Sequence, residues 1–295
     1  MRELREMLTY CRPEGSFTEW LFCERFIAGL PGMQQDEHGN YRVSIGESPV
    51  LWSCHTDTVH RRGGRQRVNV KDGLFSLKSD SSCLGADDTA GIWLMRQMIL
   101  RGIPGHYVFH YGEEMGGLGS SALAEYEHDW LSQMKWAIAL DRAGYTDVIT
   151  HQRGYRCCSN SFAEALADGL GFGYKPCDSG IYTDTAEYEA IVPECTNLSV
   201  GYFACHSSAE TLDGDHVERL LGALCALDVD TLPCERDPAA VDEDLWKDDD
   251  YYNYYDGRQP DFFDLLKTLP DDDRDVFLRQ SSDAGYGRGY SKRLM

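Results

Sequence analysis

Strand-like runs, several of them strongly apolar, alternate with helical stretches along the first 230 residues and restrict the fold more than any other feature. "PVLWSC", "HYVFH", "KWAIAL" and "CTNLSVGYFACHS" read as strands. A strand apolar at successive positions is covered on both faces. "DDTAGIWLMRQMILRGIPG" reads as an amphipathic helix stopped at Gly102 and Pro104. "GSSALAEYEHDWLSQM" is a second helix, with Ser120 or Ser121 placed to cap it. "NSFAEALADGLG" and "DHVERLLGALCAL" are two more. Residues 1–30 suggest two helices, the second around "FTEWLFCERFIAGL", and "MQQDEHGNYRVSIG" a β-hairpin turning at His38-Gly39-Asn40. Strands alternating with helices predict an α/β fold: a mostly parallel central sheet with helices on both faces.

A chain of 295 residues that is 42% apolar has enough material for a sizeable core. Its formal charge of −21 argues against nucleic acid or an anionic membrane as partner, since both select a basic surface. The N-terminus "MRELREMLTYCRP" has charges where a signal peptide needs an apolar core, and no apolar stretch approaches the ~18 residues of a membrane helix. Eleven cysteines with no C-x-x-C suggest reduced, mostly buried thiols and a cytoplasmic protein. Residues 235–275 hold 15 acids and 5 bases. The expected division is a main domain over 1–233 and an acidic C-terminal extension over 234–295, partly disordered or loosely helical and solvated.

In an open α/β sheet, ligands gather outside the carboxyl ends of the strands. Here those ends carry His55 and Asp57 in "CHTDTV", Glu113 and Glu114 in "GEEMGG", Asp141 in "ALDRAG" and His206 in "ACHSSAE". Asp87 and Asp88 of "LGADDTAG" precede a helix. So many carboxylates share a small site only when cations are present, because like charges otherwise force protonation. Histidines mixed with carboxylates suit Zn²⁺, and less selectively Mn²⁺ or Co²⁺. Five such ligands exceed the three of a single catalytic zinc and fit two ions ~3.5–4 Å apart. Plainer readings exist for some of these residues. Adjacent glutamates can lead a helix, but glycines separate this pair from the next one. Asp88 can cap the following helix and is given no ligand role. His60, His106, His110 and His151 lack motif support and read as structural or exposed.

Taken together and in this order, "HTDTV", "GADDTAG", "GEEMGG", "LDRAG" and "HSSAE" resemble the co-catalytic zinc peptidases. That superfamily comprises dinuclear aminopeptidases, carboxypeptidases and N-acyl amino acid deacylases. The resemblance covers roughly residues 15–230 and implies a zinc aminopeptidase-like, phosphorylase/hydrolase-like fold. It assigns His55 and Asp141 to one zinc, His206 and Glu114 to the other, and Asp87 to a bridge between them. It also implies a cis peptide after the bridging acid, at Asp87–Asp88. Asp57 would orient the His55 imidazole. Glu113 would take a proton from the attacking water and pass it to the leaving nitrogen. Tyr182, in "SGIYTDTAEY", sits where such enzymes place substrate-contacting groups; its hydroxyl is a candidate oxyanion donor, against the plainer reading of a loop tyrosine packed on the surface.

Only 64 residues separate Asp141 from His206, too few for the inserted lid domain that many carboxypeptidase and deacylase members carry. The compact form, and an aspartate at position 141, resemble the single-domain aminopeptidases. The expectation is a two-zinc aminopeptidase acting on peptides, of undetermined oligomeric state. A carboxypeptidase or N-acyl amino acid deacylase is the alternative with the same metals. A metal-binding scaffold without catalysis is the third reading, and the presence of both Glu113 and Asp57 counts against it.

Overall fold

The computed structural model describes residues 1–240. The chain divides into a unit from Met1 to Asp242 and a second from Glu243 to Met295. Most of the acidic extension expected from the sequence therefore lies outside the described residues.

The described residues form seven α-helices: α1 (Arg2–Met7), α2 (Phe17–Phe26), α3 (Ala86–Leu100), α4 (Leu118–Tyr126), α5 (His128–Leu131), α6 (Asn160–Leu170) and α7 (Gly214–Ala226). The strands that matter here are β1 (Gln34–Gln35), β2 (Tyr41–Ile45), β3 (Val50–His55), β4 (Val68–Lys71), β5 (Leu74–Leu77), β6 (Gly105–His110), β7 (Trp136–Arg142), β8 (Asp147–Ile149), β9 (Lys175–Cys177), β10 (Glu194–Ser199), β11 (Tyr202–Phe203) and β12 (Thr211–Asp213). Eight of them make one mixed sheet in the order β9-β8-β10-β7-β3-β6-β2-β1. Its centre, β10-β7-β3-β6, is parallel throughout, while β2 and β1 add antiparallel at one edge and β8 runs antiparallel to β10.

Every residue of β3 is buried, as its unbroken apolar run requires. Side chains alternate across the sheet. Trp52, Tyr107 and Trp136 pack with α1, α2, α3, α6 and α7 in one cluster; Leu51, Val108 and Ala137 pack with α4 and α5 in the other. Helices thus cover both faces. No helix among the described residues is long and apolar enough to cross a membrane.

Two sequence expectations are corrected. "CTNLSVGYFACHS" is not one strand: the chain leaves the main sheet after β10, bends at Gly201 (φ +95°), and re-enters as β11 in a small second sheet ordered β11-β12-β5-β4. Neither serine caps α4. The helix begins behind Gly117, whose φ of +69° suits a residue without a side chain, and the Ser120 hydroxyl donates back to the Gly117 carbonyl inside the first turn.

Candidate metal centre

Parallel pairing of β7, β3 and β6 brings their carboxyl ends to one edge of the sheet, with His55 directly across from His110. His55 ends β3 with a side chain only 1% exposed. Its Nε2 lies 3.1 Å from Asp87 Oδ1 and 3.5 Å from Asp141 Oδ1. The second Asp87 oxygen, Oδ2, lies 3.2 Å from His206 Nε2, and Glu114 Oε1 lies 3.1 Å from the same nitrogen. One carboxylate therefore faces two imidazoles, and each imidazole has a further acid of its own. The five residues singled out as ligands converge, although 151 positions separate the first from the last.

The chain at Asp87 is shaped for this. Asp87 and Asp88 have non-helical φ/ψ at the start of α3, and the peptide between them is cis. Asp88 accepts from the Gly91 amide (2.9 Å) and lies near the His55 amide (3.3 Å), so it caps the regular part of the helix and fastens it to β3. Gly91 lets α3 reach the sheet: a Cβ there would stand 2.3 Å from the Leu140 carbonyl oxygen.

Asp57, fully buried, does more than the sequence suggested. Its Oδ1 lies 3.3 Å from His55 Nδ1, as expected of an orienting group, and its carbonyl lies 3.2 Å from the same nitrogen. Its two oxygens also accept the backbone N–H groups of Glu113 and Glu114, each at 3.1 Å. A single carboxylate thus aims the histidine and holds the turn that carries both glutamates. Asp141 is held by Thr183, whose hydroxyl donates to Oδ2 at 2.8 Å, and by Tyr202, whose hydroxyl donates to its carbonyl at 3.0 Å. Asn197 exchanges hydrogen bonds with the Asp141 backbone in both directions.

Several contributors escaped the sequence reading. Glu210 accepts four backbone N–H groups from residues 84–87. Cys205 comes within ligand reach of Asp87 and His206, but burial and the neighbouring acids push its thiol up to about 12, which keeps it neutral. His110, by contrast, fits the structural reading: it is buried, and its ring nitrogens meet Asp184 (3.3 Å) and the Tyr188 hydroxyl (2.6 Å). A histidine pairing strand end to loop leaves no short motif to read.

Electrostatics express crowding. Burial first, then the charges of Asp141, Asp184 and Glu114, push Glu113 up to about 10, with His55 pulling the other way. Burial and Asp87 raise Asp141 to about 7. Hydrogen bonds to Asp87 and Glu114 lift His206 to about 11. Burial alone would lower His55, yet Asp141, Asp57 and Asp87 outweigh it and raise it well above its ordinary value. Burial likewise acts to raise Asp87, but both histidines hold it below the usual carboxylate range. Protons balance this cluster in the protein alone, and divalent cations are the natural replacement.

The donor set fits such ions. Ligand atoms ~2.0–2.2 Å from a tetrahedral metal stand about 3.3–3.6 Å from one another. The four His–carboxylate separations, 3.1 to 3.5 Å, come within about 0.2 Å of that spacing, and Asp87 takes part in two of them.

A cavity of about 390 Å³ opens at this cluster, lined by Glu113, Glu114 and Asp141 together with Tyr182, Ile181 and Arg142. Tyr182 is half-buried in the wall rather than laid on the surface. Its hydroxyl is buried without a hydrogen-bond partner, and the Arg153 guanidinium stacks 4.3 Å from its ring centroid. Gly117 makes room for it, since a Cβ there would collide with the hydroxyl.

The sequence matches no protein-family model and no curated protein. Solved structures do match. Aminopeptidase PepT from Bacillus cereus is 15% identical, with a TM-score of 0.62 over 77% of this chain and 97% of that one. A tripeptidase from Staphylococcus aureus is 16% identical, with a TM-score of 0.64 over 78% and 97%. The Pyrococcus horikoshii TET1 peptidase is 16% identical, with a TM-score of 0.56 over 77% and 99%. Strand order, helices on both faces and these superpositions agree: this chain has the fold that those solved peptidases share.

Proposed function

We propose that the protein is a metallohydrolase with two divalent ions, an aminopeptidase that cleaves short peptides. The observation that carries this reading is Asp87, which presents one oxygen to His55 and the other to His206. His55, Asp141 and Asp87 would hold one ion; His206, Glu114 and Asp87 the other. Zinc suits the donor set best, with manganese or cobalt as substitutes. The chemistry such a pair supplies is polarisation of the scissile carbonyl and activation of water at neutral pH.

The protein's own groups do the rest. Glu113 lines the cavity beside the cluster and is the candidate general base. Its raised proton affinity keeps it protonated until cations replace protons around it; thereafter it accepts a proton from the attacking water and returns it to the leaving nitrogen. Tyr182 lines the same cavity and has a buried hydroxyl without a partner, which makes it the candidate donor to the developing oxyanion. Asp57 keeps the base and its neighbour in register with His55. The names of the structural neighbours, aminopeptidase and tripeptidase, support this reading over a carboxypeptidase or deacylase.

The test is metal content joined to substrate preference. Two equivalents per chain, loss of activity on chelation, recovery with zinc, and hydrolysis of free amino-acid p-nitroanilides in preference to N-acylated amino acids are the expected results. Full activity after exhaustive metal removal overturns the proposal.

A further inference from the structure

Four consecutive backbone amides converge on one buried carboxylate beside the metal cluster. Glu210, 1% exposed, accepts from Leu84 (2.7 Å) and Gly85 (2.8 Å) with Oε2, and from Ala86 (2.8 Å) and Asp87 (3.1 Å) with Oε1. No ion pair to Glu210 exists among the described residues; these N–H groups favour its charged form against burial and the Asp87 charge, which raise its proton affinity. At its other end, the Glu210 amide donates to the Ser207 carbonyl (3.2 Å) and closes the turn that presents His206. One side chain therefore ties the His206 turn to the segment delivering Asp87, across 123 positions of sequence.

We propose that Glu210 is a positioning residue that sets the Asp87 carboxylate between the two histidines and thereby the affinity of the metal pair. The role rests on the metallohydrolase reading above. A carboxylate is needed because only its two oxygens, both acceptors, can serve four donors; a neutral amide offers one oxygen and turns its own N–H₂ toward backbone N–H. Asp57 uses the same device on the opposite side of the cluster, where it grips Glu113 and Glu114. The bridging acid and the two glutamates are thus each held through the backbone by a buried acid that is not itself a ligand. Groups that orient metal ligands in this way typically change affinity 10–100-fold when altered.

E210Q tests it. Metal-free wild-type and variant proteins are titrated with Zn²⁺ against a competing chelator, alongside circular dichroism, thermal melting without metal, and kcat and KM on a peptide substrate. The expected result is a folded variant whose affinity for the weaker-bound ion falls 10–100-fold, with kcat reduced and KM little changed at saturating zinc. E210D, which keeps both oxygens and the charge, recovers part of that affinity. A purely structural role would lower the melting temperature and leave zinc affinity of the folded protein at the wild-type value; that outcome overturns the proposal. Should E210Q not fold, E210D carries the same test: several-fold weaker zinc binding supports the role and wild-type affinity overturns it. Absence of zinc binding by the wild-type protein removes the metallohydrolase reading itself, and this role with it.

Discussion

The two halves of the candidate metal centre are built differently. The His55 half stands on sheet: β3 delivers the histidine, β7 delivers Asp141, and the His55 side chain is 1% exposed. The His206 half stands on turns: its histidine has φ +61° between β11 and β12 and is 51% exposed, and Glu114 follows the end of β6 by four residues. Strand register sets the first half through many shared backbone hydrogen bonds. The second leans on turns held by buried acids: Asp57, which also contacts His55, grips the Glu114 amide, and the Glu210 amide closes the turn after His206. The lesson is a difference in support: strand register fixes the buried half, and turns fix the half that lies nearer solvent.

The predictions that sharpen this contrast run from large effects to small. Glu113 lies between the halves and belongs to neither ligand set. E113A should keep two metals per chain and lose about 10²–10⁴-fold in kcat, the range of a general base; retained activity with full metal content removes Glu113 from the mechanism. The halves themselves separate in H55A and H206A. H55A leaves buried acids without their partner and should cost about 3 kcal/mol of stability in the metal-free protein as well as metal binding. H206A, at a half-exposed position, should lose one ion per chain yet stay within about 1 kcal/mol of wild type. Denaturant melts and metal analysis on both variants read this directly, and equal stability losses would erase the distinction. D57N places an amide against two backbone N–H groups and should weaken metal binding about 10–100-fold while leaving fold and oligomeric state alone; unaltered affinity would deny Asp57 its part in holding the open half.

The smallest effect concerns pH and the support beneath the buried half. His60 packs against Gly85, just before Asp87, with Thr58 and Gln66 on its ring nitrogens. Burial, then the Arg12 charge, lowers it to about 4. The unfolded chain binds a proton that the folded chain excludes between about pH 6.5 and 4, so this contribution to stability is complete above pH 6.5 and falls as the pH drops, by up to about 1.4 kcal/mol per unit. H60Q removes that titration, so the wild-type minus variant stability difference should fall from pH 7 to pH 5. Denaturation of both proteins at the two pH values measures it, and a difference that does not change with pH would show that His60 titrates normally in the fold.

Much of this was readable beforehand, for a physical reason. A strand buried on both faces has to be apolar throughout, so "PVLWSC" declared β3, and the turn preference of Gly39 (φ +92°) declared the β1–β2 hairpin. The β4–β5 hairpin left a signal too, in Asp72-Gly73 between alternating residues, both with positive φ. Other features left none. Gly117 begins α4 because of the loop it must turn and the tyrosine it must clear, which local helix preferences do not encode. A lone glutamate four residues after a histidine does not advertise that four distant amides will surround it.

The ordering of strand-like runs and helices, and the identities of the ionisable residues at their ends, were determined by sequence alone, because burial and titration chemistry act on residue types and on neighbours along the chain. Which oxygen of Asp87 meets which histidine, that Asp57 and Glu210 spend their carboxylates on backbone amides, and that the Tyr182 hydroxyl lies buried in the cavity wall were decided only by tertiary structure. Hydrogen bonds are satisfied in space, and the partners here lie up to 126 positions apart.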